Sequence, residues 1–176
     1  MRLLPILACF VAWLGSTPLL AQEPAPLNIW EAPKVGRWTV KAIRNGWSGP
    51  AQCLMSNIGD GSGVAYAIAP GDVQRLVVQN SQWRIPPGTS AAIYLQVDHF
   101  GPWEVKARRS PTAADTIFIE ARFDAEARRL LEQMRQGSWL HIVFPSGERY
   151  EVSLEGSKLA GGYLLECYER FGKVAP

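Results

Sequence analysis

His99 and its neighbour Asp98 are the first residues in this 176-residue chain whose types suit chemistry. Neutral imidazole is the usual base near pH 7, and a carboxylate can orient it. The pair stands in Val97-Asp98-His99-Phe100-Gly101-Pro102, where a β-prone run meets a turn, a setting in which functional residues often collect. Adjacent residues of an extended chain point to opposite faces, so the two make an awkward dyad. The second histidine, His141, lies inside a β-prone run without metal-ligand spacing, and a solvated or hydrogen-bonded role is the plainer reading. A hydrolase using His99 with Asp98 or a nearby serine is the enzymatic reading open to this sequence.

Other chemistry is harder to place. No serine stands in a Gly-x-Ser-x-Gly elbow; Ser62 in Gly61-Ser62-Gly63 is the nearest imitation and reads as a hairpin loop. Asp60-Gly61-Ser62-Gly63 is too short and too poor in carboxylates for an EF-hand loop, and no phosphate-cradling, zinc or dinucleotide signature occurs. Glu148, Glu151, Glu155, Glu166 and Glu169 are scattered, and Glu166 with Arg170 has the spacing of a surface ion pair on a helix. The sequence therefore predicts no catalytic set, no metal and no cofactor.

Recognition is better represented, by tryptophan. Seven are present; Trp13 lies in the N-terminal apolar run, leaving Trp30, Trp38, Trp47, Trp83, Trp103 and Trp139. Trp38 and Trp139 sit inside strand patterns and are expected in the core. Trp47, in the turn-rich Asn45-Gly46-Trp47-Ser48-Gly49-Pro50, joins Trp83 and Trp103, both near prolines, as a candidate binding surface with His99. Converging indoles would form a platform for a peptide, glycan or partner protein; otherwise they cap the open ends of a sheet. Arg108-Arg109, expected on a loop, and Arg128-Arg129, on a helix, read as solvated faces that can also dock an acidic partner. A net charge of +2 offers no electrostatic footprint for nucleic acid or an anionic membrane.

The elements that must position these residues begin with an export signal. Arg2 precedes an apolar run from Leu3 to Leu14, too short to span a bilayer, and Pro18-Leu19-Leu20-Ala21 supplies a breaker and a small residue for cleavage. Residues 1–21 are thus expected to be a signal peptide, and the mature protein to be periplasmic or secreted with no transmembrane segment. Lipidation at Cys9 is disfavoured, because too little apolar sequence precedes it and the run continues past it. Export leaves Cys53 and Cys167 with one possible pairing in an oxidising compartment, a structural disulfide rather than a redox Cys-x-x-Cys.

Residues 22–29, rich in proline, are expected to be extended, and 30–176 to form a single domain. Arg37–Ile43, Gln52–Asn57, Val64–Ala69, Val73–Gln79, Ala91–Val97, Trp103–Ala107 and Ile117–Phe123 are short β-prone runs separated by turn residues. Asp124 is placed to cap a helix over 125–136 that Gly137 ends. Trp139–Phe144 and Arg149–Leu154 form a strand pair, and a last helix is expected over 158–170. The class is mainly β (α+β): an antiparallel β-sandwich or barrel-like sheet with two helices, tied by the disulfide.

Trp38, then Cys53-Leu54-Met55, a strand ending at Val97-Asp98, a helix before Gly137, and Leu154-Glu155-Gly156-Ser157 leading to Cys167 together resemble the invasion-associated locus B group of small secreted alphaproteobacterial proteins. Members of that group often carry further cysteines absent here. The resemblance implies an exported, mainly β, non-enzymatic envelope domain and transfers no catalytic residue. The expected function is an accessory or binding protein whose partner is another envelope or extracellular protein. An inhibitor inserting loop 45–50 or 59–63 into an enzyme cleft, and the His99 hydrolase, are the alternatives.

Overall fold

The computed structural model describes residues 25–46 and 49–173; the expected signal peptide and Trp47 lie outside them. Ten strands pair entirely antiparallel in one sheet: β1 (Leu27–Glu31), β2 (Thr39–Arg44), β3 (Gln52–Ser56), β4 (Ser62–Ala69), β5 (Val73–Asn80), β6 (Ser90–Val97), β7 (Trp103–Arg109), β8 (Thr116–Arg122), β9 (Trp139–Val143) and β10 (Arg149–Ser153). Their order is β1-β2-β3-β4-β5-β8-β7-β6-β9-β10, with β1 and β10 at the edges, so the sheet does not close into a barrel. It folds over itself instead. Tyr150 of β10 donates from its hydroxyl to the Gln79 carbonyl of β5, and Asn57 Nδ2 donates to the Ser153 carbonyl. The halves β1–β5 and β8-β7-β6-β9-β10, continuous through the β5–β8 ladder, thus face one another as in a sandwich.

Alternation explains most of the core. Val40 and Ala42, Cys53 and Met55, Leu76 and Val78, and Ile93, Leu95 and Val97 point inward from successive strands and are fully or almost fully buried. Trp38 is 1% exposed, as expected. Trp139 is not: the phase of β9 turns Leu140 and Ile142 inward and leaves Trp139 46% exposed, correcting its expected place in the core. Arg108 and Arg109 also move, from an expected loop into the end of β7.

Helix α1 (Ala125–Gln136) starts where Asp124 Oδ1 accepts the N–H groups of Glu126 at 3.0 Å and Ala127 at 3.1 Å. It buries Ala127, Leu130, Leu131 and Met134. Gly137 ends it by close approach rather than by a left-handed turn, since its φ is −84° and a Cβ there would lie 2.2 Å from Val97 Cγ1. Helix α2 (Ser157–Cys167) continues into a π-helical turn over Tyr168–Gly172. It begins on Gly156 at φ +86°, packed against Trp38, whose indole N–H donates to the Glu155 carbonyl at 2.9 Å. Ser157 Oγ donates to the Met134 carbonyl and joins the two helices. Leu154-Glu155-Gly156-Ser157 and Trp38 are thus one structural device. Cys53 and Cys167 are bonded, Cα atoms 5.9 Å apart, and both fully buried. The bridge fixes the end of α2 against β3.

Candidate functional site

The structure separates the residues singled out from sequence. Asp98 adopts φ +44°, a conformation aspartate tolerates, and turns its carboxylate onto the start of β9. Its two oxygens accept the N–H groups of Ser138 at 2.8 Å and Trp139 at 2.9 Å. That carboxylate is a structural clasp, not an orienter for His99. His99 is exposed, with its ring stacked on Phe100 at 4.7 Å and no hydrogen bond among the described residues. His141 sits 3.1 Å from Glu151 Oε1 across the β9–β10 ladder. Among the described residues no group of three or more histidine, cysteine or carboxylate side chains could hold a metal.

The tryptophans also part company. Trp103 opens β7 and donates its indole N–H to Gln133 Oε1 at 2.7 Å, with the Arg129 guanidinium 5.7 Å above its ring. It therefore fastens α1 to the sheet. Trp83 lies beyond the other end of β7, half-buried, and borders a cavity of about 360 Å³. The length of β7, about 20 Å at the usual rise per residue, separates that cavity from Trp103.

Local sequence builds the cavity. After β5 the chain reaches Trp83-Arg84-Ile85-Pro86-Pro87, where the prolines cannot join a ladder. The segment is pinned by the Ile85 N–H donating to the Ala114 carbonyl at 2.8 Å, and by Arg84 Nη1 donating to the carbonyls of Ser81 and Trp83. Opposite stands the β9–β10 turn, Phe144-Pro145-Ser146-Gly147, which closes at Gly147 with φ +85°. The Trp83 ring meets Phe144 and Tyr150 edge-on, each at 5.3 Å between centroids. Ile93, Ala107 and Ile117 supply the floor from β6, β7 and β8.

One polar group in this apolar setting belongs to a basic doublet that the sequence places on a solvated loop, able to dock an acidic partner, and not in a cleft. Arg109 lines the cavity, and its Nε is buried without a hydrogen-bond partner among the described residues. Its neighbour Arg84 has the negative charge of Asp115 nearby, whose carboxyl is held below its ordinary range mainly by hydrogen bonds from Gln79 and Thr116 and in lesser part by Arg84. Arg109 makes no ion pair with a carboxylate among the described residues; Glu148, exposed on the β9–β10 turn, borders the same cavity. The signal was legible in principle. Trp103, Val105, Ala107 and Arg109 share one face of β7, so continuing the alternation by one step puts a guanidinium on the inward side.

A second cavity, of about 500 Å³, runs along the seam between β10 and the loops before β2 and β4. Gly36, Gly59, Gly63 and Gly156 line much of it beside Arg37, Glu151 and Glu155, and two of its polar groups, Asn57 and Tyr150, are used to close the sheet.

Fold and site together define a small, mainly β domain with a disulfide-anchored C-terminal helix and a half-open aromatic cleft. That fold is shared with invasion associated protein B from Bartonella henselae, whose crystal structure superposes with a TM-score of 0.53 at 18% sequence identity, covering 79% of this chain and 97% of that one. No protein-family model matches the sequence. A comparison with curated proteins gives no match either.

Proposed function

We propose that this is an exported, non-enzymatic accessory protein of a bacterial cell envelope that acts by binding, and that the Trp83 cleft is where it meets its partner. The cleft carries the reading, for it combines the half-buried rings of Trp83 and Phe144, an apolar floor and a guanidinium without an ion pair among the described residues. Three further observations support it. Asp98 is committed to backbone amides and His99 is exposed, stacked on Phe100 with no hydrogen bond among the described residues, which speaks against the hydrolase. A buried disulfide fits an oxidising compartment, and no helix among the described residues is long and apolar enough to cross a membrane. The partner, another envelope or extracellular protein, would present an apolar group to the cleft.

Photo-crosslinking tests this in a cell-envelope extract. A photoreactive residue at Thr89, exposed on the cleft rim, should yield a discrete adduct that Trp83→Ala abolishes, whereas the same residue at Gln136, at the end of α1, should not. Turnover of ester, peptide or glycoside substrates that disappears in His99→Ala would overturn the reading.

A further inference from the structure

Strand β6 is only half covered on one side. Its ladder with β9 runs from Val97↔Leu140 to Tyr94↔Val143 and stops there, because Phe144 turns away and donates its N–H to the Glu148 carbonyl. The first four residues of β6, Ser90 to Ile93, keep β7 on one side and have no strand among the described residues on the other. The parity of the ladders says which groups are left over. The Arg109 N–H donates to the Thr89 carbonyl, so odd-numbered residues of β6 face β7, and the Asp98 N–H donates to the Trp139 carbonyl, so even-numbered ones face β9. Ser90 and Ala92, both exposed, therefore direct their backbone N–H and C=O groups to an empty lane in line with β9.

The Trp83 cavity lies on the inner side of that same lane. Ala91 and Ile93 line it, so residues laid opposite them would send alternate side chains between Trp83, Ile85 and Phe144. A segment continuing the direction of β9 runs antiparallel to β6 and ends beside Thr89 and Ser90. Arg109, paired with Thr89, stands at that end; its Nη1 donates to the Pro111 carbonyl at 3.5 Å, and its buried Nε has no partner among the described residues.

Resting on the reading of the cleft as the binding site, we propose that β6 accepts the extended C-terminal segment of a partner polypeptide as an added strand. Alternate apolar side chains fill the Trp83 cavity, and the terminal carboxylate pairs with Arg109. Backbone pairing at Ser90 and Ala92 supplies the register. Arg109 supplies the preference for a chain end over an internal loop.

The test uses the mature protein and an acetylated pentapeptide pool with Val, Ile, Leu or Phe at its first, third and last positions and Ser or Thr between, made as free acid and as C-terminal amide. The free-acid pool should shift the amide resonances of Ser90 and Ala92 and slow their hydrogen exchange, binding roughly tenfold more tightly than the amide pool. Arg109→Gln should erase that preference while leaving the weaker amide binding in place; Trp83→Ala should weaken both pools alike. Ala92→Pro removes an N–H that no described ladder uses and should abolish binding with the circular dichroism spectrum unchanged. Equal affinity of wild type for acid and amide, resonance shifts away from Ser90–Ile93, or tighter binding of decanoate than of the acid pool would each overturn the proposal. A Trp83-dependent crosslink at Thr89 without peptide binding would refute the added strand and leave the cleft as the binding site.

Discussion

Asp98 and His99 show how one turn divides two neighbouring side chains between structure and solvent. The carboxylate satisfies two amides at the head of β9, while the imidazole beside it carries no hydrogen bond among the described residues. Asp98→Ala should therefore destabilise the protein by about 2 kcal/mol in urea unfolding, since bonds to a charged acceptor are lost, whereas His99→Ala should stay within about 0.5 kcal/mol of wild type. Tyr66 is the buried counterpart. Its hydroxyl donates to Gln74 Oε1, reaches the Ala127 carbonyl at 3.3 Å, and burial pushes its pKa well above the ordinary 10.0. Tyr150 and Tyr168 are also raised, chiefly by burial. Because the fold favours the neutral phenols, their contribution is whole below the unfolded value of about 10 and is lost as pH rises beyond it. Stability should thus fall steeply on the alkaline side. Tyr66→Phe should make that fall shallower while costing about 1 to 3 kcal/mol at neutral pH, where Gln74 loses its donor; an unchanged alkaline slope would refute the assignment.

Elements were legible where a local signal coincided with burial. Helix α1 was readable at both ends, because Asp124 offers a side-chain acceptor and Gly137 a residue without Cβ. Asp124→Ala should cost about 1 kcal/mol through the lost cap. Gly137→Ala should cost about 1 to 3 kcal/mol through collision with Val97, a different mechanism that a compensating Val97→Ala would relieve. Strand β1 was missed because Pro24, Pro26 and Pro33 crowd around Leu27-Asn28-Ile29-Trp30-Glu31; its place at the edge, with an irregularity between Asn28 and Trp30, tolerates such company. Trp139 was misplaced for another reason. A five-residue strand of apolar character can be read in either phase, and only the pairing Leu140↔Val97 and Ile142↔Leu95 fixes which side chains face inward. The cleft was half legible: Trp83 and its prolines stand out in sequence. The empty lane on β6 depends on where β9 stops, which no local pattern records.

For the whole molecule, the disulfide decides how firmly the last helix belongs to the sheet. Helix α2 buries small residues, Ala160 and Gly161, beside Leu164 and Cys167, and leaves Leu159 61% exposed, so its apolar footing is narrow. Beyond it the chain is held by the Ala51 N–H donating to the Phe171 carbonyl, by Tyr168 bonding to Asp72, and by Tyr168 packing on Phe123 at 5.4 Å. The bridge spans 114 residues, and closing a loop of that size restricts the unfolded chain by about 5 kcal/mol in the entropy model. Replacing both cysteines by serine, which avoids a lone thiol, should lower stability by up to that amount. Reduction of the wild type should bring its unfolding midpoint down to that of the double variant. The loss should also have a location. Amides of α2 and the π-helical turn should exchange faster, because their attachment to β3 is gone, while those of β4, whose residues from Gly63 to Ile68 are buried, should keep their protection relative to the global unfolding limit. A double variant that melts with the oxidised wild type would show that packing alone holds the helix; uniform loss of protection through β4 would show that the bridge stabilises the domain as one unit rather than anchoring its last element.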